Sequence, residues 1–207
     1  MDEKARFCFP VFSLQKIKGY FMRSFCFFAF LLCFLTAQAQ ETSLYFTSQT
    51  DVSAIFIEKI RSEQKSIRLV SHRLSEVKVI EALIDAHQRA VSVEVIVDSV
   101  SVTKKTPLKL LVKEGVPVFV WNSEGFPKKK SEAPRRMHHG FCVFGSDLCW
   151  TGSYSFSLKS RFHHFENALL LQDEKISKGF LKEFEDIKKK HVISFSEYLR
   201  YHDLMHK

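Results

Sequence analysis

Three short segments of this chain carry residue types suited to acid, base and nucleophile chemistry: His138-His139-Gly140, Gly152-Ser153-Tyr154-Ser155 and Phe165-Glu166-Asn167-Ala168. An imidazole can attack or pass a proton near neutral pH, a carboxylate can fix its tautomer, and hydroxyls can donate to an oxyanion. Taken singly, each segment reads as a solvated loop, a turn or a strand opening. Their spacing joins them, because Gly152 and Ser153 follow His138 by fourteen and fifteen residues and Glu166 comes soon after. Just ahead lie Lys128, Lys129, Lys130, Arg135 and Arg136, in a polar segment that also holds Gly125, Pro127 and Pro134. Such a loop entering a site can guide a phosphate, for which arginine forks are well shaped. No metal centre is expected, since the pairs His138-His139 and His163-His164 have no Cys or carboxylate at a standard zinc spacing around them. No Gly-rich phosphate loop or internal repeat is present either.

This pattern resembles the phospholipase D superfamily, in its single-motif nuclease and cardiolipin-hydrolase-like branch. The family motif runs His, any residue, Lys, four residues, Asp, then six residues to Gly-Ser and a nearby Asn. His138, Gly152, Ser153 and Glu166 keep their places. Gly140 stands for the lysine, Gly145 for the aspartate and Ser155 for the asparagine. The resemblance implies that His138 attacks phosphorus to form a phosphohistidine. A second histidine, from another motif copy, then protonates the leaving alcohol and later activates water. With one copy per chain, it implies a homodimer that brings two His138 rings together across a two-fold axis. Glu166 would hold His138 in one tautomer, Ser153 and Ser155 would donate to a phosphate oxygen, and Asp147 would take over part of the structural role lost at Gly145. No cofactor is implied. The partners implied are phospholipid or nucleic-acid phosphodiesters, with peripheral membrane contact.

The lost lysine is the serious departure, because removing one positioned donor from such a site costs about a hundred- to a thousandfold in rate. Three readings follow: a working phosphodiesterase whose cation has moved into the basic loop; a pseudoenzyme that binds phosphodiesters or anionic membranes; or a hetero-oligomer whose other chain brings the lysine.

These residues need a scaffold, and the pattern from Leu44 onward alternates strand and helix. Leu44-Tyr45-Phe46 opens a strand. Asp51 caps a helix to about Gln64, Ile67 to Val70 forms a short buried strand, and Ser75 caps a second helix bearing Val79, Ile80, Leu83 and Ile84. Val91 to Val97 alternates as a strand ending at Asp98, Pro107 to Lys113 reads as a helix stopped by Gly115, and Val116 to Trp121 as a strand. Phe141 to Phe144 and Leu148 to Thr151 form a hairpin, Ala168 to Leu171 a strand, and Ile176, Phe180, Leu181, Phe184 and Ile187 the buried face of the last helix. The fold class expected is α/β, a mixed β-sheet sandwiched between helices, over residues 40–190, with 191–207 an uninformative tail.

The first 39 residues differ. Phe25 to Ala37 is an apolar run preceded by Arg23 and followed by Ala37-Gln38-Ala39, the pattern of a secretory signal peptide, with Met22 as the expected start and an uncleaved anchor as the alternative. The whole chain carries 31 basic and 23 acidic side chains; with five and two of these in the leader, the remainder keeps a positive balance that suits a phosphate-bearing partner. Only Cys142 and Cys149 lie outside the leader, and two buried thiols are expected there rather than a disulfide.

Overall fold

A computed structural model describes residues 41–122 and 136–205. The leader, Lys128, Lys129, Lys130 and Arg135 fall outside the described residues. The sheet has eight strands: β1 Thr42–Phe46, β2 Ser66–Ser71, β3 Ser92–Asp98, β4 Val118–Trp121, β5 Gly140–Phe144, β6 Leu148–Gly152, β7 Asn167–Gln172 and β8 Val192–Ser194, in the order β1-β7-β6-β5-β2-β3-β4-β8. β2, β3 and β4 run parallel, as expected where helices connect them; β5 is antiparallel to β2, and the β5–β6 hairpin continues antiparallel through β7 to β1.

The helices are α1 Val52–Ser62, α2 Val77–Gln88, α3 Leu108–Lys113, α4 Leu158–Phe162, α5 Glu174–Lys190 and α6 Phe195–Met205. They cover both faces. Phe56 and Ile60 of α1, Val79 and Leu83 of α2 and Leu111 of α3 pack with Ile67, Leu69, Val95 and Phe144 of the sheet. Phe184 and Ile187 of α5 pack on the opposite face against Val70, Ile96, Phe141 and Val143. Alternation along β2 and β3 splits the strand side chains between these two clusters, so the central strands are apolar throughout. The expected mixed sheet between helices is what the chain forms.

Local differences have physical causes. α2 is capped at Glu76 rather than Ser75, whose amide instead bonds the Phe156 carbonyl; Glu76 has no capping side-chain bond because its carboxylate turns into a buried network. The segment read as a tail holds β8, which pairs antiparallel with β4, and α6, whose Phe195 and Tyr198 are buried in the core. Ile176, placed by periodicity on the buried face of α5, is exposed. Cys142 pairs with Trp150 and Val143 with Cys149, so the two cysteines are offset by one residue and point to opposite faces. Both are free and buried, and burial pushes both thiols above their ordinary range.

Candidate functional site

Strand β2 ends at Ser71, β3 at Asp98, and β5 begins at Gly140 beside the end of β2, so the segments flanking these strands meet at one edge of the sheet. In open α/β sheets this edge is where ligands gather. Asp98, fully buried, organises it. Its Oδ2 accepts the Met137 amide at 2.7 Å, its Oδ1 accepts the Val100 amide at 2.9 Å, and Arg136 lies 3.7 Å from Oδ1. That clamp fixes the backbone one residue before His138. It also occupies Arg136, expected from sequence to meet a phosphate, with a carboxylate of the scaffold.

His138 is exposed, and its ring stacks on that of His72, with centroids 4.2 Å apart and planes 11° from parallel. Among the described residues, His138 has no side-chain hydrogen bond or ion pair. His72 is half-buried. Its Nδ1 lies 3.2 Å from the Met137 carbonyl, an obligate acceptor, so Nδ1 carries the proton and Nε2 is left for other partners. Burial first, then the neighbouring His138, lowers its pKa below the ordinary imidazole value. Sequence reasoning passed over His72; the available signal was its place just past a buried strand.

Glu166 is where the chain departs most from the expected geometry. Its Oε1 accepts a hydrogen bond from Ser160 Oγ at 3.2 Å and lies 3.4 Å from His164 Nδ1; its contacts run to these residues rather than to His138. Ser160 gives its proton to that carboxylate, so Ser155 Oγ, 2.7 Å from Ser160 Oγ, must donate to it. Ser155's proton is thereby spent inside the protein. Ser153 Oγ accepts the Asn167 amide at 3.0 Å, which leaves its own proton for a ligand. The reason is geometric: α4, which the sequence reading lacked, inserts Ser160 between Ser155 and Glu166.

The two substituted motif glycines behave differently. A Cβ on Gly140 would meet the Gly152 carbonyl at 3.1 Å, a tight but adjustable approach beside Ser153. Gly145 turns the β5–β6 hairpin with φ +60°, far from His138 at the other end of β5, while Asp147 accepts from Gln172 Nε2 at 2.6 Å and so ties that turn to β7. Gly152 itself is obligatory: with φ +153°, any Cβ would sit 2.3 Å from the Asn167 carbonyl.

Beneath this edge a carboxylate is buried. Glu76 accepts from Ser53 Oγ, from Tyr154 hydroxyl at 3.1 Å and from Arg161 Nη1 at 2.8 Å, and Arg161 also reaches Asp51 at 2.6 Å. This network ties α1 and α2 to the Gly152–Ser155 turn and to α4. Burial, then the Glu76 charge, pushes the Tyr154 hydroxyl well above its usual range, keeping it a donor.

Beside His72 opens a cleft of about 730 Å³ lined by Arg73, Lys105, Lys159, His164 and Ser155, with no acidic residue in its lining among the described residues. Arg73, Lys105 and Lys159 form no salt bridge among the described residues. Leu158 also lines the cleft and is 58 % exposed, and Phe162 and Phe165, close to it in sequence, are 65 % and 91 % exposed.

A family model described as cardiolipin synthase, phospholipase D-like domain, matches residues 56–188. The chain belongs to the phospholipase D superfamily. It is 28 % identical over 122 residues to a mitochondrial cardiolipin hydrolase of Xenopus laevis, an alignment covering 59 % of this chain and 54 % of that protein, so it spans about half the length of that curated relative. Among solved structures it is similar to NucT from Helicobacter pylori, with TM-score 0.69 and 17 % identity over 76 % of this chain and 100 % of that one. It is also similar to Nuc, a phospholipase D family member of Salmonella typhimurium, with TM-score 0.65 and 18 % identity over 76 % and 99 %. These likenesses establish a single-motif phospholipase D fold; phosphodiester chemistry is the activity class of this superfamily.

Proposed function

We propose that the chain hydrolyses phosphodiesters through His138 as nucleophile, in a homodimer whose second His138 acts as acid and base. The observation that carries this is an exposed His138, without a polar side-chain partner among the described residues, stacked on His72 of a cleft whose described lining is basic and holds no carboxylate. A nitrogen of His138 attacks phosphorus, the bond to the leaving oxygen breaks, and the partner histidine gives that oxygen a proton. Water then attacks, its proton returns to the partner histidine, and the phosphorus–nitrogen bond breaks. Asp98 positions His138 through Met137, Ser153 offers a donor, and Arg73, Lys105 and Lys159 attract the anion.

A phospholipid is the substrate class best supported. The related cardiolipin hydrolase is named for such a lipid, and exposed Leu158, Phe162 and Phe165 beside basic Lys159 suit an anionic membrane surface. Export by the leader before Gln40 would deliver the protein to such a surface, and N-terminal sequencing of the mature protein would check it.

The test is release of p-nitrophenol from bis-p-nitrophenyl phosphate, compared among wild type, His138→Ala and Gly140→Lys under chelation. Turnover lost about a thousandfold or more in His138→Ala supports the enzyme reading. Activity in Gly140→Lys alone favours the second reading, a pseudoenzyme that binds phosphodiesters, for which the absent lysine at Gly140 is the specific observation. Sedimentation of the purified protein reports whether the active species is a dimer.

A further inference from the structure

Whatever binds at His138 must have its charge met, and no lysine stands at position 140. Among the described residues, Arg136 is paired with Asp98 at 3.7 Å, and Arg73, Lys105 and Lys159 line the cleft beside His72. Among the described residues one ring is in contact with His138: His72, parallel to it at 4.2 Å. Parallel rings at that distance present their edges side by side, so a phosphate held at one edge lies within reach of the other. His72 is already oriented, because Nδ1–H is spent on the Met137 carbonyl and Nε2 alone can meet a ligand. It also lines the cleft through which an anion would arrive.

We propose that His72 is the phosphate-binding cation of this site: as an imidazolium it donates Nε2–H to a non-bridging oxygen of the phosphate at His138, in place of the missing ammonium. This deepens the phosphodiesterase reading and rests on it for the location of the phosphate. The proton comes from solvent as the anion binds. His72 is faced by His138 and Arg73, which oppose its charge, and by Asp98 and the Met137 carbonyl, which favour it. Without a ligand, burial and His138 keep the ring neutral, so an imidazolium here requires an anion to form. Two imidazolium rings stacked on each other would repel; a neutral nucleophile beside a charged donor is the arrangement the anion selects. The consequence differs from that of a lysine, which stays charged throughout the neutral range. Phosphate binding here takes up a proton and tightens as pH falls.

The experiment is a pH titration of the histidine ring nitrogens by NMR on the full protein, with and without inorganic phosphate, the His72 signal being assigned by its loss in His72→Gln. The expected result is a rise of about one pH unit in the His72 midpoint with phosphate, equivalent to about tenfold tighter binding to the protonated ring. His72→Lys should remove the proton uptake at position 72, leaving only the pH dependence that phosphate's own ionisation near neutrality imposes. A His72 midpoint indifferent to phosphate would overturn the assignment and leave His72 a packing partner. The wild-type titration needs no variant to fold beyond the one used for assignment. If the midpoint moves but bis-p-nitrophenyl phosphate is not cleaved, hydrolysis fails and the binding assignment stands. If cleavage depends on His138 but the midpoint stays put, only the His72 assignment fails.

Discussion

Glu76 and His138 lie in neighbouring parts of the same fold and treat their polar atoms in opposite ways. The Glu76 carboxylate is buried and saturated, with Ser53, Tyr154 and Arg161 all donating to it. His138 is exposed and, among the described residues, touches a ring instead of a polar side chain. A buried charge can be kept only if its partners are fixed, whereas a group that meets a ligand must keep a valence open. The scaffold around the Gly152–Ser155 turn is thus closed to substitution, and the histidine edge is where function can change without unfolding the protein.

The sharpest way to break that contrast is to open the closed side. Arg161→Ala strands the Glu76 carboxylate at a site that is 1 % exposed, and a buried pair broken from one side costs about 3–5 kcal/mol. Chemical denaturation of the variant should show that loss. Arg161→Met with Glu76→Gln together should recover much of it, because no uncompensated charge is then left. An unchanged midpoint in Arg161→Ala would mean that solvent enters and screens Glu76.

Gly152→Ala tests the same turn through the backbone. Its Cβ would lie 2.3 Å from the Asn167 carbonyl, too close for any rotamer to relieve, so β6 and β7 must separate there. Backbone strain of this kind costs about 1–3 kcal/mol, and on the proposed phosphodiesterase reading activity falls further as Ser153 moves. Circular dichroism melting alongside the p-nitrophenol assay would separate the two effects.

Gly140→Lys acts on the open side and should be milder in stability. The Cβ meets the Gly152 carbonyl at 3.1 Å, which a small shift relieves, and on the proposed reading the ammonium then gains access to a phosphate beside His138. The expected result is a small fall in melting temperature and, if His72 meets the phosphate in wild type, a gain in rate well short of the hundredfold that one new donor can bring to a site without any. A full hundredfold gain would argue that no cation serves the wild-type site.

The same division explains what could be read from the sequence. Alternating strands and helices from Leu44 to Lys190 were legible because apolar periodicity reports burial, and the sheet is buried on both faces. The His138 and Gly152-Ser153 positions were legible because their spacing is set by one hairpin. Contacts between segments distant in sequence were not: His72 on His138, Asp98 on Met137 and Arg161 on Glu76 join residues 66, 39 and 85 positions apart. α4 was missed because its five residues, Leu158–Phe162, carry too little periodicity, and with it the fact that Ser160 intervenes between Ser155 and Glu166. The β8–α6 segment reads as polar since its burial rests on few side chains, chiefly Phe195 and Tyr198.

The smallest effect distinguishes the two regions by pH. His72 is held below its ordinary pKa by burial and by His138, so the folded state binds its proton less readily than the unfolded chain does. Its contribution to stability is therefore present above the ordinary imidazole value of about 6.5 and is lost as pH falls through that value toward the depressed one. His72→Gln should flatten stability against pH in that window, measured by denaturant midpoints at successive pH values. Added phosphate should flatten it in wild type as well, because an anion that favours the protonated ring offsets the penalty. Arg161→Met with Glu76→Gln together should leave that slope unchanged, since the pair is replaced without leaving a charge and neither residue touches His72; a slope that moves with that double variant would mean that the two regions are one coupled unit.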